Sequence, residues 1–241
     1  MSDVGPNEPL LEIENLVVSY YKKEILLGVS MVVLAGEIVT LVGLNGSGKS
    51  TLMKAVAGIV RPKSGRIRLY GIDITSKQPQ ELAPMGLGYL MQGNNVFPNL
   101  TVLEHLHLAA QAGGRRGHDL GAEKVWELFP ALASSQHRRG GLLSGGERQM
   151  LAFSMLLVQK AKFWLLDEPS LGVSPQLVES LLGTVKELSV REGVTVLLVE
   201  QNIRGGLKIS DRTYVLKNST TLREHLPSEI LDQDNLEDIF L

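Results

Sequence analysis

The chain has 241 residues, 44% of them apolar, which suits one large domain with a substantial core and excludes disorder as its overall class. Its formal charge of -2 supplies no general electrostatic footprint for nucleic acid, and no nucleic-acid partner is expected. Cysteine is absent, which excludes disulfides, thiolate nucleophiles and cysteine-ligated zinc.

The opening segment carries Asp3, Pro6, Glu8 and Pro9 where a signal peptide would carry a basic region and an apolar run. Leu11, Ile13, Leu16 and Val18 alternate as in a strand, 19–23 is turn-like, and 25–34 returns to β-branched, apolar composition. Gly36 and Glu37 break the pattern before a strand at 38–42. A helix is predicted over 50–59, with Leu52, Val56 and Ile59 on one side and an end near Gly58 and Pro62. Short strands follow at 66–70 and 87–91.

Between about 101 and 132 the pattern turns helical, with Leu103, Leu106, Leu108 and Ala109 in one helix and Val125, Leu128 and Phe129 in another. The basic, glycine-rich run 113–117 links them. A helix at 146–158, an apolar strand at 163–166, a helix at 176–189 and an apolar strand at 194–199 complete the alternation. Uninterrupted apolar strands of this kind belong to a sheet covered on both faces. The fold class is therefore α/β, with an inserted, mostly helical subdomain. The predicted division gives the core 10–92 and 144–220, the subdomain 93–143, and an acidic, peripheral tail 221–241. No run approaches the ~20 apolar residues needed to cross a bilayer. Work at a membrane would need spanning helices from a partner.

The segment Gly43, Leu44, Asn45, Gly46, Ser47, Gly48, Lys49, Ser50, Thr51 fits a phosphate loop, placed between a strand and a helix as that motif requires. Its glycines let successive N–H groups converge on phosphate oxygens, and the helix terminus adds positive potential. Lys49 should reach the β- and γ-phosphates, and the Ser50 hydroxyl should ligate Mg2+. A strand then ends in Asp167 and Glu168, at the sheet edge where ligands bind in α/β folds. Asp167 is the expected magnesium partner, directly or through water. Glu168 is the candidate to polarise the attacking water. Adjacent strand residues face opposite ways, but the turn at Pro169 can redirect Glu168.

Leu143, Ser144, Gly145, Gly146, Glu147, Arg148 and Gln149 form a glycine-containing signature ahead of a helix. With the two motifs above, the chain resembles the nucleotide-binding subunits of ABC transporters from about Leu11 to Leu216. The resemblance implies a phosphate-loop NTPase core of ABC type with an antiparallel β region, and an ATP hydrolase, with ATP and Mg2+, that works as a head-to-tail dimer with an identical or related subunit. In that arrangement Ser144 and Gly146 contact the partner's nucleotide, Gly145 allows close approach, and Glu147 and Gln149 organise the turn. Tyr20 matches the aromatic residue that stacks on adenine, with Tyr21 as its immediate competitor. Gln92 matches a glutamine that senses magnesium and links core to helical subdomain. The loop 170–173 takes the dimer-contact position but lacks the usual aspartate.

Gln201 stands where most relatives carry a histidine. Its amide can donate to phosphate or position water but cannot act as imidazole does. That leaves Glu168 as the base, or a slow site. Histidines 105, 107, 118, 137 and 225 do not restore the position and are expected in surface or loop roles. The residues around Gln92, 167–172 and 200–202 resemble importers of branched-chain or hydrophobic amino acids, and urea or amide importers look similar. Such a subunit would lie peripherally on the cytoplasmic face of the inner membrane, under permease subunits fed by a periplasmic solute-binding protein. Ser219, where many relatives have glycine, and the acidic ending depart from the pattern. The alternatives are another ABC task, such as lipid or polysaccharide export, a soluble regulatory or mechanical ABC protein, and an ATP-gated module without hydrolysis.

Overall fold

The computed structural model describes residues 8–93, 95–115 and 120–232. Of the expectations above, the lead-in before residue 8, residues 116 and 117 of the basic link, His118, and the acidic tail from residue 233 lie outside that range.

Strands β1 (Pro9–Tyr20) and β2 (Lys23–Leu34) form an antiparallel hairpin. Tyr20 pairs with Lys23, so the turn is shorter than predicted, and Tyr21 adopts a φ of 54° there. β3 (Ile38–Val42) runs into the phosphate loop and helix α1 (Lys49–Val56). The helix stops earlier than predicted because Gly58 turns left-handed at φ 71°, and a Cβ there would meet Lys77 O at 2.5 Å. Leu52 and Val56 are buried as expected, but Ile59 is 46% exposed.

β4 (Ser64–Leu69) pairs with β1, and the short β5 (Ile72–Asp73) closes the antiparallel sheet in the order β2-β1-β4-β5. One turn of helix, α2 (Pro79–Leu82), precedes β6 (Leu87–Leu90). The inserted segment holds α3 (Val102–Ala112), α4 (Glu123–Leu128) and α5 (Pro130–Ala133). Then come α6 (Gly145–Gln159), β7 (Phe163–Asp167), α7 (Pro175–Glu192) and β8 (Thr195–Val199). The chain continues through α8 (Ile203–Ile209), β9 (Arg212–Lys217), β10 (Thr221–His225) and α9 (Pro227–Leu231).

The second sheet has six strands in the order β10-β9-β3-β8-β7-β6, parallel from β9 to β6. Alternation along its central strands explains their unbroken apolar sequence. Phe163, Leu165, Leu197 and Val199 face one core, shared with α1 and the antiparallel sheet. Trp164, Leu166, Val196 and Leu198 face another, shared with α3, α6 and α7. The inserted helices thus bury Val102, Leu106, Val125 and Leu132 in a core continuous with the parallel sheet. Leu108 of α3 is 47% exposed.

Two expectations need correction. His105 takes neither a surface nor a loop role: it is 1% exposed. Its Nε2 accepts from Phe97 N at 2.8 Å, and its Nδ1 lies 2.7 Å from Thr101 O, a pairing that suits the neutral Nδ1–H tautomer. Residues 221–231, expected in a peripheral tail, instead extend the sheet and bury Ile230 against Val42, Leu207 and Val215. The acids there have local partners. Glu224 pairs with Arg212 at 3.0 Å, and Glu229 accepts from Leu226 N at 3.0 Å in the first turn of α9.

Candidate active site

The topology gathers the predicted residues along one sheet edge. The phosphate loop leaves β3, Gln201 follows β8, Asp167 and Glu168 end β7, and Gln92 follows β6, on four neighbouring strands. Crevices beyond the carboxyl ends of parallel strands are where α/β folds bind ligands. A cavity of about 490 Å³ lies there, lined by Asn45, Gly46, Gly48, Lys49, Ser50 and Thr51 together with Gln92, Glu168 and Gln201.

The loop's conformation depends on glycine. Gly48 has a φ of 107°, and a Cβ on it would come within 2.6 Å of Leu26 Cδ2. Lys49 Nζ donates to the carbonyls of Gly43 at 2.8 Å and Leu44 at 3.1 Å, which draws the ammonium across the loop. Burial lowers its pKa, and the nearby charges of Glu168 and Asp167 oppose that shift.

Alternation on β7 puts Asp167 on the face of Leu165, towards α1. Ser50 Oγ donates to Asp167 Oδ1 at 3.2 Å, and Tyr89 Oη donates to Oδ2 at 3.2 Å. Asp167 is 1% exposed. Burial raises its pKa, the two hydroxyls oppose the rise, and Glu168 adds to it. A hydroxyl and a carboxylate oxygen side by side beside a phosphate loop are the hard oxygen donors that Mg2+ prefers. The residues present therefore fit that ion.

Glu168 is redirected at its own backbone and not at Pro169: its φ is 51°, rare for a residue with a Cβ. Its N–H donates to Val199 O at 2.8 Å, which holds this turn against the end of β8. Gln92 Nε2 and Gln201 Nε2 both donate to Glu168 Oε2, at 2.6 and 2.7 Å. Two amides, each just beyond one of the two strands that flank β7, thus fix one carboxylate oxygen.

The signature builds a helix start. Ser144 caps α6, its Oγ accepting from Glu147 N at 3.2 Å while Glu147 Oε2 accepts from Ser144 N at 2.7 Å. That bond to Ser144 N is the main cause of the lowered Glu147 pKa. Arg138 donates to Glu147 at 3.0 Å and to Leu142 O at 2.6 Å, and Arg148 donates to Leu143 O at 2.5 Å. None of Ser144, Gly145, Gly146 or Glu147 lines the phosphate-loop cavity. Gly145 instead borders a separate hollow with Gly93, Leu171 and Gly172.

Tyr20 is not among the residues that line the phosphate-loop cavity either. It is 39% exposed at the end of β1, while Lys23 and Ile25 of β2 reach the cavity. Sequence reasoning missed these two, and also Tyr89 and Arg138. A hydroxyl-bearing aromatic on the otherwise apolar β6 was the available signal for Tyr89. Nothing in the local sequence marked Lys23, Ile25 or Arg138.

Residues 26–171 match the family described as ABC transporter, and that span includes the phosphate loop, the signature and both carboxylates. The chain belongs to the ABC transporter family. It is similar to the high-affinity branched-chain amino acid transport ATP-binding protein BraG of Pseudomonas aeruginosa, at 38% identity over 96% of this chain and 99% of that protein. The probable branched-chain amino acid transport ATP-binding protein LivF of Archaeoglobus fulgidus is 37% identical over 95% of this chain and 97% of its own length. The lipopolysaccharide export system ATP-binding protein LptB of Acidithiobacillus ferridurans is 36% identical over 96% of each. Among solved structures, the ADP conformation of an ABC transporter ATP-binding cassette superposes with a TM-score of 0.83 at 28% identity, covering 97% of this chain and 98% of the other. This ABC subunit binds and hydrolyses ATP, with membrane-spanning components as its working partners. Among the described residues, no helix is long and apolar enough to cross a membrane.

Proposed function

We propose that this ABC subunit energises import of branched-chain or other hydrophobic amino acids from the cytoplasmic face of the membrane, as one of two ATPase subunits under a permease. The observation that carries the composite-site mechanism is the separation just described. The phosphate loop, Asp167 and Glu168 converge on one cavity, while Ser144 and the N–H groups at the start of α6 do not line it. A second, identical or related subunit turned head to tail would bring its signature to this phosphate loop. Closure then depends on ATP, whose charge is met by donors from both subunits.

In this reading the loop N–H groups and Lys49 bind the phosphates, while Ser50, Asp167 and the amide of Gln92 would hold Mg2+. Held there, Mg2+ would supply positive charge against the negative charge that develops during phosphoryl transfer. Gln92 and Gln201 hold Glu168 Oε2, and among the described residues no donor reaches Oε1. Oε1 is the oxygen we assign to the attacking water. As the water oxygen bonds to the γ-phosphorus, the bond to the β–γ bridging oxygen breaks, ADP leaves, and the water proton passes to Glu168. Tyr20 remains our candidate for adenine, since its strand partner Lys23, with Ile25, lines the cavity.

The solute does not touch this chain; a periplasmic binding protein would deliver it to the permease. Half-exposed Phe97 and Leu108 border a groove of about 210 Å³ beside the segment that follows Gln92. We place the permease contact there, because movement of that segment reaches Glu168 through Gln92. The relatives named for branched-chain amino acid transport support the substrate class. The similar lipopolysaccharide-export relatives define the alternative. Reconstitution of the subunit with its co-purified permease in vesicles tests this directly. ATP-dependent uptake of labelled leucine, isoleucine or valine supports import, and ATP-dependent extraction of lipid without uptake contradicts it.

A further inference from the structure

We infer that Glu200 is a positioning residue for hydrolysis, joining the loop that follows Glu168 to the backbone that carries Gln201. This rests on the role assigned above to Glu168. Glu200 is the first residue after β8 and is only 4% exposed. Its Oε1 accepts from Ser170 N at 2.9 Å. Its Oε2 accepts from Ser170 Oγ at 2.6 Å and Asn202 N at 3.1 Å. Three donors from two loops therefore end on one carboxylate. Among the described residues it has no salt-bridge partner.

A buried carboxylate without a cation is costly to keep ionised, even when hydrogen-bonded. Burial accordingly raises the Glu200 pKa, and the bonds from Ser170 and Asn202 oppose the rise. An apolar residue would serve packing alone at lower cost. What the carboxylate supplies is a fixed geometry between two adjacent loops. Ser170 lies two residues beyond Glu168, whose carbonyl accepts from Leu171 N at 3.2 Å, closing the turn between them. On the other side, Glu200 and Asn202 flank Gln201, whose amide reaches Glu168 Oε2. The carboxylate thus braces Glu168 from its own loop and from the loop of its hydrogen-bond donor. A small misplacement of a general base can cost a large part of turnover without affecting substrate binding.

The experiment compares Glu200→Gln, Gln201→Ala and the double variant in the co-purified transporter, with kcat, KM for ATP and Tm measured on each. Glu200→Gln conserves volume, but its NH2 must confront either the Ser170 N–H or the Asn202 N–H. We expect kcat to fall roughly ten-fold, with KM unchanged and Tm unchanged or raised. Adding Glu200→Gln to Gln201→Ala should lower kcat by less than the two single effects multiplied. Ser170→Ala, which removes only the hydroxyl bond, should give a smaller loss of the same kind and serves if Glu200→Gln fails to fold. Wild-type kcat in Glu200→Gln, a kcat loss that follows a lowered Tm, or fully multiplicative effects would overturn the inference. Glu168→Gln, run in parallel, separates the cases. Its failure to reduce turnover sinks the site assignment itself, whereas its success beside an unaffected Glu200→Gln sinks only this inference.

Discussion

The side-chain amide of Gln201 donates to Glu168 Oε2 at 2.7 Å, beside the matching bond from Gln92 at 2.6 Å. Gln201 therefore touches the candidate base directly. An amide at this point is a donor that carries no titrating proton near neutrality, so it orients Glu168 without competing for the water proton.

Replacing Gln201 by Ala removes one of the two donors and frees the carboxylate to rotate. We expect kcat to fall on the order of ten-fold with ATP affinity unchanged, measured by steady-state phosphate release and by nucleotide titration. A rise in the ATP dissociation constant at constant kcat would instead place Gln201 on the phosphate.

Asp167 illustrates function held against stability. Its carboxyl is buried and its pKa is raised above the ordinary value of 3.8, so the folded state binds more protons than the unfolded one between 3.8 and that raised value. Stability contributed by this group falls as pH rises through that window. Asp167→Asn should therefore raise the Tm of the nucleotide-free protein at neutral pH, lose the advantage below pH 3.8, and abolish magnesium-dependent hydrolysis. Thermal melts across pH, with and without magnesium and ATP, check all three.

The capping box at α6 serves both the fold and the partner site. Ser144→Ala should cost about 1 kcal/mol of stability through the lost cap, a shift of roughly 2–4 °C in Tm for a domain of this size. Turnover should fall by far more than that stability loss explains, because the same residue is proposed to meet the nucleotide of the opposing subunit. A turnover loss that only follows the melting shift would confine Ser144 to capping.

The segment beyond β9 belongs to the fold. Ile230 is fully buried against Val42 at the end of β3, immediately before the phosphate loop. Ile230→Ala should destabilise by about 2–5 kcal/mol, readable in urea denaturation as a lower midpoint at constant slope.

Chemistry and order along the chain were legible because each motif needs particular residue types at fixed offsets. Gly48, Lys49, Ser50 and the Asp167–Glu168 pair were found that way, and the strands carrying them were visible as apolar runs. Contacts made across the sheet were not legible. Tyr89 reaches Asp167 only because β6 lies beside β7, and Lys23 reaches the cavity only because the β1–β2 turn is tighter than its composition suggested. Burial misled in two places. His105 resembles any helix-surface histidine until Phe97 N and Thr101 O are placed on its two ring nitrogens. The ending after residue 220 was judged by its acid count, whereas Glu224 and Glu229 are engaged by Arg212 and by a helix start, and Ile230 and the β9–β10 pairing anchor the segment.

The measurement that bears most directly on the account is magnesium-ATP hydrolysis by the co-purified transporter, comparing the wild-type chain with Glu168→Gln. The variant is expected to keep ATP bound while phosphate release falls by about 10²-fold or more, the scale of general-base catalysis. Unchanged turnover in Glu168→Gln would contradict it, leaving this chain's site without a working base and assigning hydrolysis to the opposing subunit.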